Sequence, residues 1–235
     1  MRKIACESCV LRRRGIIADL RDDQLEDFHA CSTVALYKPR QVIFHAGAPA
    51  SGLYILCHGM VKLYQSDRFG RDHILSVASA GDILGEVPSD PLVPYSASAE
   101  ALTEAQLCYL SRARLIPFIE EHPLVGIRLI AALSAALGVA RKKVRTLALK
   151  PAEGRLAELL IQLAKIGKKN ETGRTGFTLR YSRRELAQMI GVSTETVIRI
   201  LGRLKHKRAI SSCQRELIIT DMEQLAGIAN RDIRT

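Results

Sequence analysis

The sequence predicts an α+β protein: an N-terminal double-sheet β-roll (a jelly roll), then a long helix, then a C-terminal winged helix-turn-helix. Three observations support this prediction. Between Thr33 and Leu110, short apolar runs alternate with glycines, as closely spaced strands and turns do. From His122 to Leu149 the apolar spacing becomes helical. Finally, the stretch 181–208 has the start and stop signals of two short helices.

The patterns divide the 235 residues into four segments. Residues 1–18 are an N-terminal segment that contains cysteines, and residues 19–121 form the β-roll domain. Residues 122–149 form the long helix, and residues 150–235 the winged helix-turn-helix domain. A short amphipathic helix is expected over 19–31, before the first strand, because Leu20, Leu25 and Phe28 recur at roughly helical spacing.

The charge of the chain is concentrated in its last part. The net charge is +11, yet residues 1–140 carry 14 Lys and Arg against 15 Asp and Glu, whereas residues 141–235 carry 21 against 9. A near-neutral first part joined to a strongly basic last part indicates that the basic part meets a polyanion, either nucleic acid or an anionic membrane surface.

The sequence does not predict a membrane partner. The longest uncharged apolar run, residues 129–140, is shorter than the ~20 residues that a membrane span needs, and Arg128 and Arg141 flank it. No apolar segment with a cleavage site follows the basic N-terminus. We therefore expect a cytoplasmic protein whose six cysteines stay reduced.

The long helix carries apolar residues at alternating spacings of three and four. They are Ile130, Leu133, Leu137, Ala140, Val144 and Leu147, which we call the apolar seam. A seam of this kind that continues beyond two heptads favours self-association into a homodimer. The alternative is a helix that lies on its own β-domain.

The last domain has a pair of capped helices. Ser182 and Glu185 form a capping box at the start of the first helix, and Gly191 ends it. Ser193 can cap the second helix, whose inward-facing residues are predicted to be Val197, Ile200, Leu201 and Leu204. The run 209–220 alternates between apolar and polar residues on either side of 214–215, and this pattern predicts a β-hairpin wing.

The second helix of this pair is suited to enter the major groove of double-stranded DNA. A Glu near its start can accept a hydrogen bond from cytosine N4, and an Arg one turn later can bind guanine. The expected base-contacting residues are Thr194, Glu195, Ile198 and Arg199. The expected phosphate-contacting residues are Arg183, Ser193, Thr196, Arg203 and Lys205.

A simpler interpretation is that Glu195 and Arg199 form only a surface pair, worth ~0.3 kcal/mol. The capped helices, the wing and the charge distribution together favour DNA binding over that interpretation. The sequence has no P-loop, nucleophile elbow or paired-carboxylate motif, so an enzyme is not predicted.

The segment SRRELAQMIGVSTETVIRILGRL, residues 182–204, resembles the winged helix-turn-helix of the CRP/FNR family of bacterial transcription regulators. The similarity covers nearly the whole chain. It implies a cyclic-nucleotide-binding-like β-roll, a dimerisation helix, a palindromic operator and contact with RNA polymerase. The family's recognition-helix Glu and Arg correspond to Glu195 and Arg199. CRP-like members have Arg at the position of Thr194, so the helix here resembles the FNR-like branch more. Ile198, however, stands where FNR-like proteins often have Ser.

The resemblance also bears on cyclic AMP. Gly85 and Glu86 match the pair that binds the ribose hydroxyl in cyclic-nucleotide-binding members. Between Leu92 and Ser98, however, there is no Arg to bind the cyclic phosphate. A buried phosphate without a guanidinium partner leaves an uncompensated charge. Cyclic AMP is therefore not expected to bind, and Glu86 is expected to support a turn instead.

FNR-like oxygen sensors hold a four-iron, four-sulfur cluster with three N-terminal cysteines and one from the roll. Cys6 and Cys9 match the first two positions, and Cys108 matches the position in the roll, whereas Gly15 stands at the third. Three thiolates are thus in register for a cluster that needs four ligands.

Three interpretations follow. A complete cluster takes Cys31 or His29 as its fourth ligand, or three cysteines hold a cluster with one open iron, or the site has decayed to a dithiol or to no function. We therefore expect a DNA-binding transcription regulator that responds to redox state, oxygen or a related gas. The alternative is an effector-binding module with a degenerate sensor site that regulates a protein partner.

Overall fold

The computed structural model describes residues 15–18, 20–87, 93–166, 177–179, 181–213 and 216–230. Cys6 and Cys9 lie outside these residues. The chain divides into two compact units, Met1–Leu137 and Gly138–Thr235, whose boundary falls inside the long helix.

The first unit contains the predicted double-sheet roll. After α1 (Asp22–Cys31) come the strands β1 (Thr33–Tyr37), β2 (Val42–Phe44), β3 (Gly52–His58), β4 (Val61–Ser66), β5 (Asp72–Ala78), β6 (Ile83–Gly85), β7 (Ser98–Ala101) and β8 (Ala105–Ser111). Their orders are β1-β8-β3-β6 in one sheet and β2-β7-β4-β5 in the other, with antiparallel pairing throughout. The strands β6 and β7 did not stand out in the sequence because they are short.

Strands β3 and β8 are covered on both faces. Leu56 and Leu107 point into a core between the two sheets, the inter-sheet core. Ile55 and Cys108 point the other way, into a core that the roll shares with α1 and the following helices, the helix-side core. Because successive side chains alternate between faces, burial on both sides makes these strands continuous apolar runs.

Two helices complete the first unit and lead into the second. The helix α2 (Arg112–Glu121) was not predicted, and α3 (Pro123–Leu149) is the long helix predicted from residue 122. Phe118 on α2 and Val125 on α3 are buried in the helix-side core together with Phe28 of α1.

The second unit contains α4 (Ala152–Ile166), β9 (Phe177–Leu179), α5 (Arg183–Ile190), α6 (Thr194–His206), β10 (Ile210–Cys213), β11 (Glu216–Ile219) and α7 (Met222–Ala229). The capping box is confirmed: Glu185 N donates to Ser182 Oγ over 3.1 Å, and Ser182 N donates to Glu185 Oε2 over 2.7 Å. Gly191 ends α5 in the left-handed conformation, with φ 67°. The wing is also confirmed, and β9 joins it in an antiparallel sheet of order β10-β11-β9.

Candidate DNA-binding interface and sensor site

The helix α6 is anchored by one apolar face. Its buried residues are the four that the periodicity predicted, Val197, Ile200, Leu201 and Leu204, all at most 3% exposed. They pack against α4, α5 and β10. Glu195, Ile198 and Arg199 lie on the exposed side, and Thr194 is half-buried at the start of the helix. The structure thus presents the four predicted base-contacting residues, which we call the reading face, on a helix fixed from behind.

The first turn of α6 is ordered by its cap. Ser193 Oγ accepts a hydrogen bond from Thr196 N over 3.2 Å, and the hydroxyls of these two residues are 3.1 Å apart. The pKa of Glu195 is held below its usual range because its own backbone N–H and the Ser193 side chain donate to the carboxylate. Glu195 is therefore a charged hydrogen-bond acceptor at neutral pH, as contact with cytosine N4 requires.

Several cations expected at phosphates already have partners within the second unit. Lys205 Nζ donates to Ser212 Oγ on β10 over 2.7 Å. Arg203 lies 3.6 Å from a carboxylate oxygen of Glu153 on α4, and Lys207 lies 3.0 Å from the other oxygen. Sequence reasoning missed Glu153, because it is about 50 residues away from its partners along the chain and no local pattern connects them. Arg183, also expected at phosphates, is half-buried in the first turn of α5.

A second carboxylate fastens the end of α3 within the same unit. Lys142 and Lys150 lie 3.1 Å and 2.9 Å from the two carboxylate oxygens of Glu158 on α4. Lys150 Nζ also donates to the carbonyl of Ala229 at the end of α7, over 2.7 Å. Burial raises the pKa of Glu158, but the hydrogen bonds from Lys150 and Lys142 lower it by more, so this carboxylate is charged at neutral pH.

The apolar seam of α3 is open on the described part of the chain. Ile130, Leu133 and Val144 are 66%, 56% and 67% exposed, and Leu137, Ala140 and Leu147 are exposed as well. Ile130, Leu133 and Leu137, the part of the seam in the first unit, therefore do not lie on the roll, although Leu129 and Ala132 on another side of α3 pack against the helix-side core. By length and composition alone α3 is also apolar enough to cross a membrane, with a mean hydropathy of 1.9 in its most apolar window.

Glu86 is bound to another part of the roll. Ser96 N donates to Glu86 Oε2 over 2.8 Å, and the Ser96 hydroxyl donates to the other carboxylate oxygen. Ser96 lies ten residues after Glu86, about where the resemblance implies an Arg for a cyclic phosphate. This part of the roll thus offers a carboxylate and a neutral hydroxyl, where a bound phosphate requires a cation.

Cys108 lies in the helix-side core and is 1% exposed. Its Sγ is 3.2 Å from Sγ of Cys57 on the neighbouring strand β3, and both are reduced thiols. The sequence alone does not indicate this contact, because it depends on the pairing of β3 with β8. Cys31 packs against the same core, and its thiol donates to the carbonyl of Phe28 over 3.3 Å.

The first residues that the structure describes contribute to the same core as this thiol pair. Ile16 and Ile17 are each 1% exposed and belong to the helix-side core with Cys57 and Cys108. Gly15 has φ 91°, and a Cβ there would lie 3.1 Å from the carbonyl oxygen of Gly81. This backbone favours glycine, which explains why the third position of the cysteine pattern is not a cysteine.

The described residues do not make a cluster site by themselves. Within the part of the chain described here, no group of three or more His, Cys, Asp or Glu side chains is arranged to hold a metal ion. A four-iron, four-sulfur cluster therefore requires Cys6 and Cys9, as well as an opening of the apolar packing around Cys108.

Two family models match most of the chain. The cyclic nucleotide-binding domain matches residues 35–122, and the Crp-like helix-turn-helix domain matches residues 154–228. Together with the exposed reading face, they define a DNA-binding transcription regulator with a β-roll domain.

Curated relatives and solved structures agree with this class. The cAMP-activated global transcriptional regulator CRP of Escherichia coli is 30% identical over 84% of this chain and 94% of its own. A CRP-like cAMP-activated global transcriptional regulator of Mycobacterium tuberculosis is 29% identical over 78% of this chain and 82% of its own. The structure of FixK2 from Bradyrhizobium japonicum has the same fold, with a TM-score of 0.73 and 24% identity over 85% of this chain and 98% of that one.

The chain belongs to the CRP/FNR family of transcription regulators. The prediction of a DNA-binding regulator rather than an enzyme is thereby confirmed.

Replacing Glu153 with Gln should strengthen DNA binding irrespective of sequence, because the carboxylate competes with phosphates for Arg203 and Lys207. We expect several-fold higher affinity at low salt. We also expect the log–log salt dependence to steepen by about 0.9 for each cation released to a phosphate. Fluorescence anisotropy over a salt series measures both quantities. Glu104→Gln, which removes an exposed charge from the roll, is the matched control, and equal effects of the two variants would contradict the mechanism.

Cyclic AMP should leave the thermal unfolding of this chain unchanged, because Ser96, which is bound to Glu86, stands where the cyclic phosphate needs a cation. A ligand at 100 times its Kd adds about 2.7 kcal/mol to the free energy of unfolding, so binding would raise Tm measurably. The cAMP-activated regulator of Escherichia coli serves as the positive control. A comparable rise of Tm in both proteins would show that the site accepts the nucleotide.

Proposed function

We propose that this regulator binds a palindromic operator in the cytoplasm as a homodimer, and that a redox signal, oxygen or a related gas controls this binding. One observation carries the DNA part. Glu195 and Arg199 are exposed one turn apart on a helix whose opposite face is buried. A fixed helix with a charged acceptor and a guanidinium on its outer face matches the hydrogen-bonding groups of a C·G base pair in the major groove.

The homodimer is supported by the apolar seam on α3. Monomeric proteins rarely expose contiguous apolar surface of this kind, and a second copy of the same seam covers it by knobs-into-holes packing. A two-fold dimer presents two reading faces, which is why the operator is expected to be a palindrome. RNA polymerase is then the partner through which operator binding changes transcription, as the family resemblance implies.

The sensing part centres on Cys108, for which two chemical forms are open. In the first, Cys6, Cys9 and Cys108 hold a four-iron, four-sulfur cluster, with Cys31 as the fourth ligand. In the second, Cys108 and Cys57, whose sulfurs are 3.2 Å apart, lose two hydrogens to an oxidant such as a peroxide and form a disulfide. Both forms place the signal beside Ile16 and Ile17, so the same helix-side core would be repacked. Thr194 supports a place in the FNR-like branch and therefore a redox signal, oxygen or a related gas. The two relatives named above, in contrast, are cAMP-activated.

The DNA part predicts different results for two variants. Arg199→Ala should cost about 1–3 kcal/mol on the preferred operator and relax specificity at one base pair, because it removes a direct contact to guanine. Lys205→Ala should weaken all duplexes nearly equally and flatten the log–log salt slope by about 0.9. Titrations of full-length protein with an operator selected from random duplexes measure both effects. If the two variants behave alike, α6 does not lie in the groove in the proposed orientation.

The sensing part predicts that DNA affinity depends on oxidation through Cys108. Protein purified without air should change its operator affinity after exposure to air or to hydrogen peroxide, and Cys108→Ser should abolish the change. Cys213→Ser on the wing is the control and should respond as the unaltered protein does. If the protein holds a cluster, it contains iron and acid-labile sulfide, and Cys9→Ser loses both. If it forms the disulfide, the linked peptides that contain Cys57 and Cys108 have a mass lower by two hydrogens than the two reduced peptides together. Equal affinity in every redox state would refute the sensing part.

A further inference from the structure

Ile198 is an exposed apolar residue on a face that is otherwise polar or charged. Its side chain is 55% exposed, although the packing of α6 is already complete with four other buried apolar residues. A β-branched residue is slightly unfavourable in a helix, and one that stays mostly in water gains little burial energy. The free protein therefore gives no stability reason for isoleucine at this position, and the reason is expected in what the reading face binds.

We propose that Ile198 reads the C5-methyl group of a thymine in the operator half-site, beside the base pairs contacted by Glu195 and Arg199. This inference rests on the proposed binding of DNA through α6. It assigns to one residue a base preference for thymine over cytosine.

The geometry of the helix brings Ile198 to the same bases as its neighbours. Glu195 is three residues earlier, so the Cβ atoms of Glu195 and Ile198 are about 5–6 Å apart on one side of the helix. Side chains on a helix lean towards its N-terminus, which tilts Ile198 over the first turn. The first turn of a recognition helix is the part closest to base edges.

The chemistry of the groove then selects the base. Among the groups that base pairs present in the major groove, the thymine methyl is the apolar one, and the others are hydrogen-bond donors or acceptors. Isoleucine has no donor or acceptor in its side chain. Placed against the N4 amine of cytosine or the N7 and O6 of guanine, it would remove their water without replacing a hydrogen bond. Against a thymine methyl it buries apolar surface on both partners.

The test removes the methyl and nothing else. An operator is first selected from random duplexes with the full-length protein, and each thymine in the half-site is then replaced by deoxyuridine. We expect one position at which the replacement lowers affinity about 4-fold per half-site, which corresponds to ~0.8 kcal/mol for one buried methyl. At the same position, cytosine should bind more weakly than thymine, and 5-methylcytosine should recover part of the loss.

Variants assign this methyl effect to Ile198. Ile198→Ala should abolish the difference between thymine and deoxyuridine, whereas Ile198→Val, which keeps a branched apolar side chain, should retain most of it. Arg199→Ala should lose discrimination at guanine but keep the methyl effect, which separates the two contacts. Both positions are exposed, and circular dichroism checks that each of the three variants is folded.

The outcomes distinguish this inference from the proposed function. If no duplex binds under any condition, DNA binding through α6 fails and the inference fails with it. If an operator binds specifically but has no thymine in its half-site, or if every deoxyuridine replacement is neutral, the methyl contact is refuted while the proposed function stands. A methyl effect that persists in Ile198→Ala assigns the contact to another residue and also refutes the inference.

Discussion

The reading face exists because the other side of α6 is fully buried. Val197, Ile200, Leu201 and Leu204 are at most 3% exposed, and burial of each is worth about 1.5–3 kcal/mol. That energy fixes the rotation of the helix about its own axis, and a helix whose rotation is fixed has a defined outward side. Glu195, Ile198 and Arg199 therefore have constant positions relative to one another before DNA arrives. When a binding site is already ordered in the free protein, binding does not have to supply the free energy of ordering it, and affinity is higher for that reason.

A comparable constraint brings the thiols of Cys57 and Cys108 together. Strands β3 and β8 lie side by side in one sheet, and their alternate residues face two different cores. Cys57 and Cys108 point to the same side and meet, and Ile16 and Ile17 belong to the same core. Burial in an apolar core restricts the access of an oxidant to a thiol and so slows its reaction. A sensor built on Cys108 must therefore couple its chemistry to a local opening of this core, and that coupling converts a change at sulfur into a change of packing.

The elements that could be predicted from the sequence are those with local signals. The capping box at Ser182, the cap at Ser193 and the glycine that ends α5 specify their helices within a few residues. Helix α7 also has a local signal, since Asp221 at its start accepts a hydrogen bond from Gln224 N over 2.8 Å. Strand β9 could not be predicted in this way, because so short a strand forms only when a neighbouring strand completes its hydrogen bonds. The same limit applies to the site. The reading face followed from a period of 3.6, whereas the ion pairs of Glu153 and the contact of Cys57 with Cys108 join residues about 50 positions apart.

The distant ion pairs also change what the net charge means. Residues 141–235 carry 21 cations against 9 carboxylates, which by itself suggests that most of the cations neutralise phosphates. In the structure, Glu153 holds two cations at the end of α6, and Glu158 holds two more between α3 and α4. The cations at Glu158 fasten α3 to the helices behind the reading face. Part of the positive charge thus stabilises the domain and is not available to phosphates. In the proposed complex with DNA, the remaining cations set the affinity for duplexes of any sequence, and the few residues of the reading face discriminate between sequences.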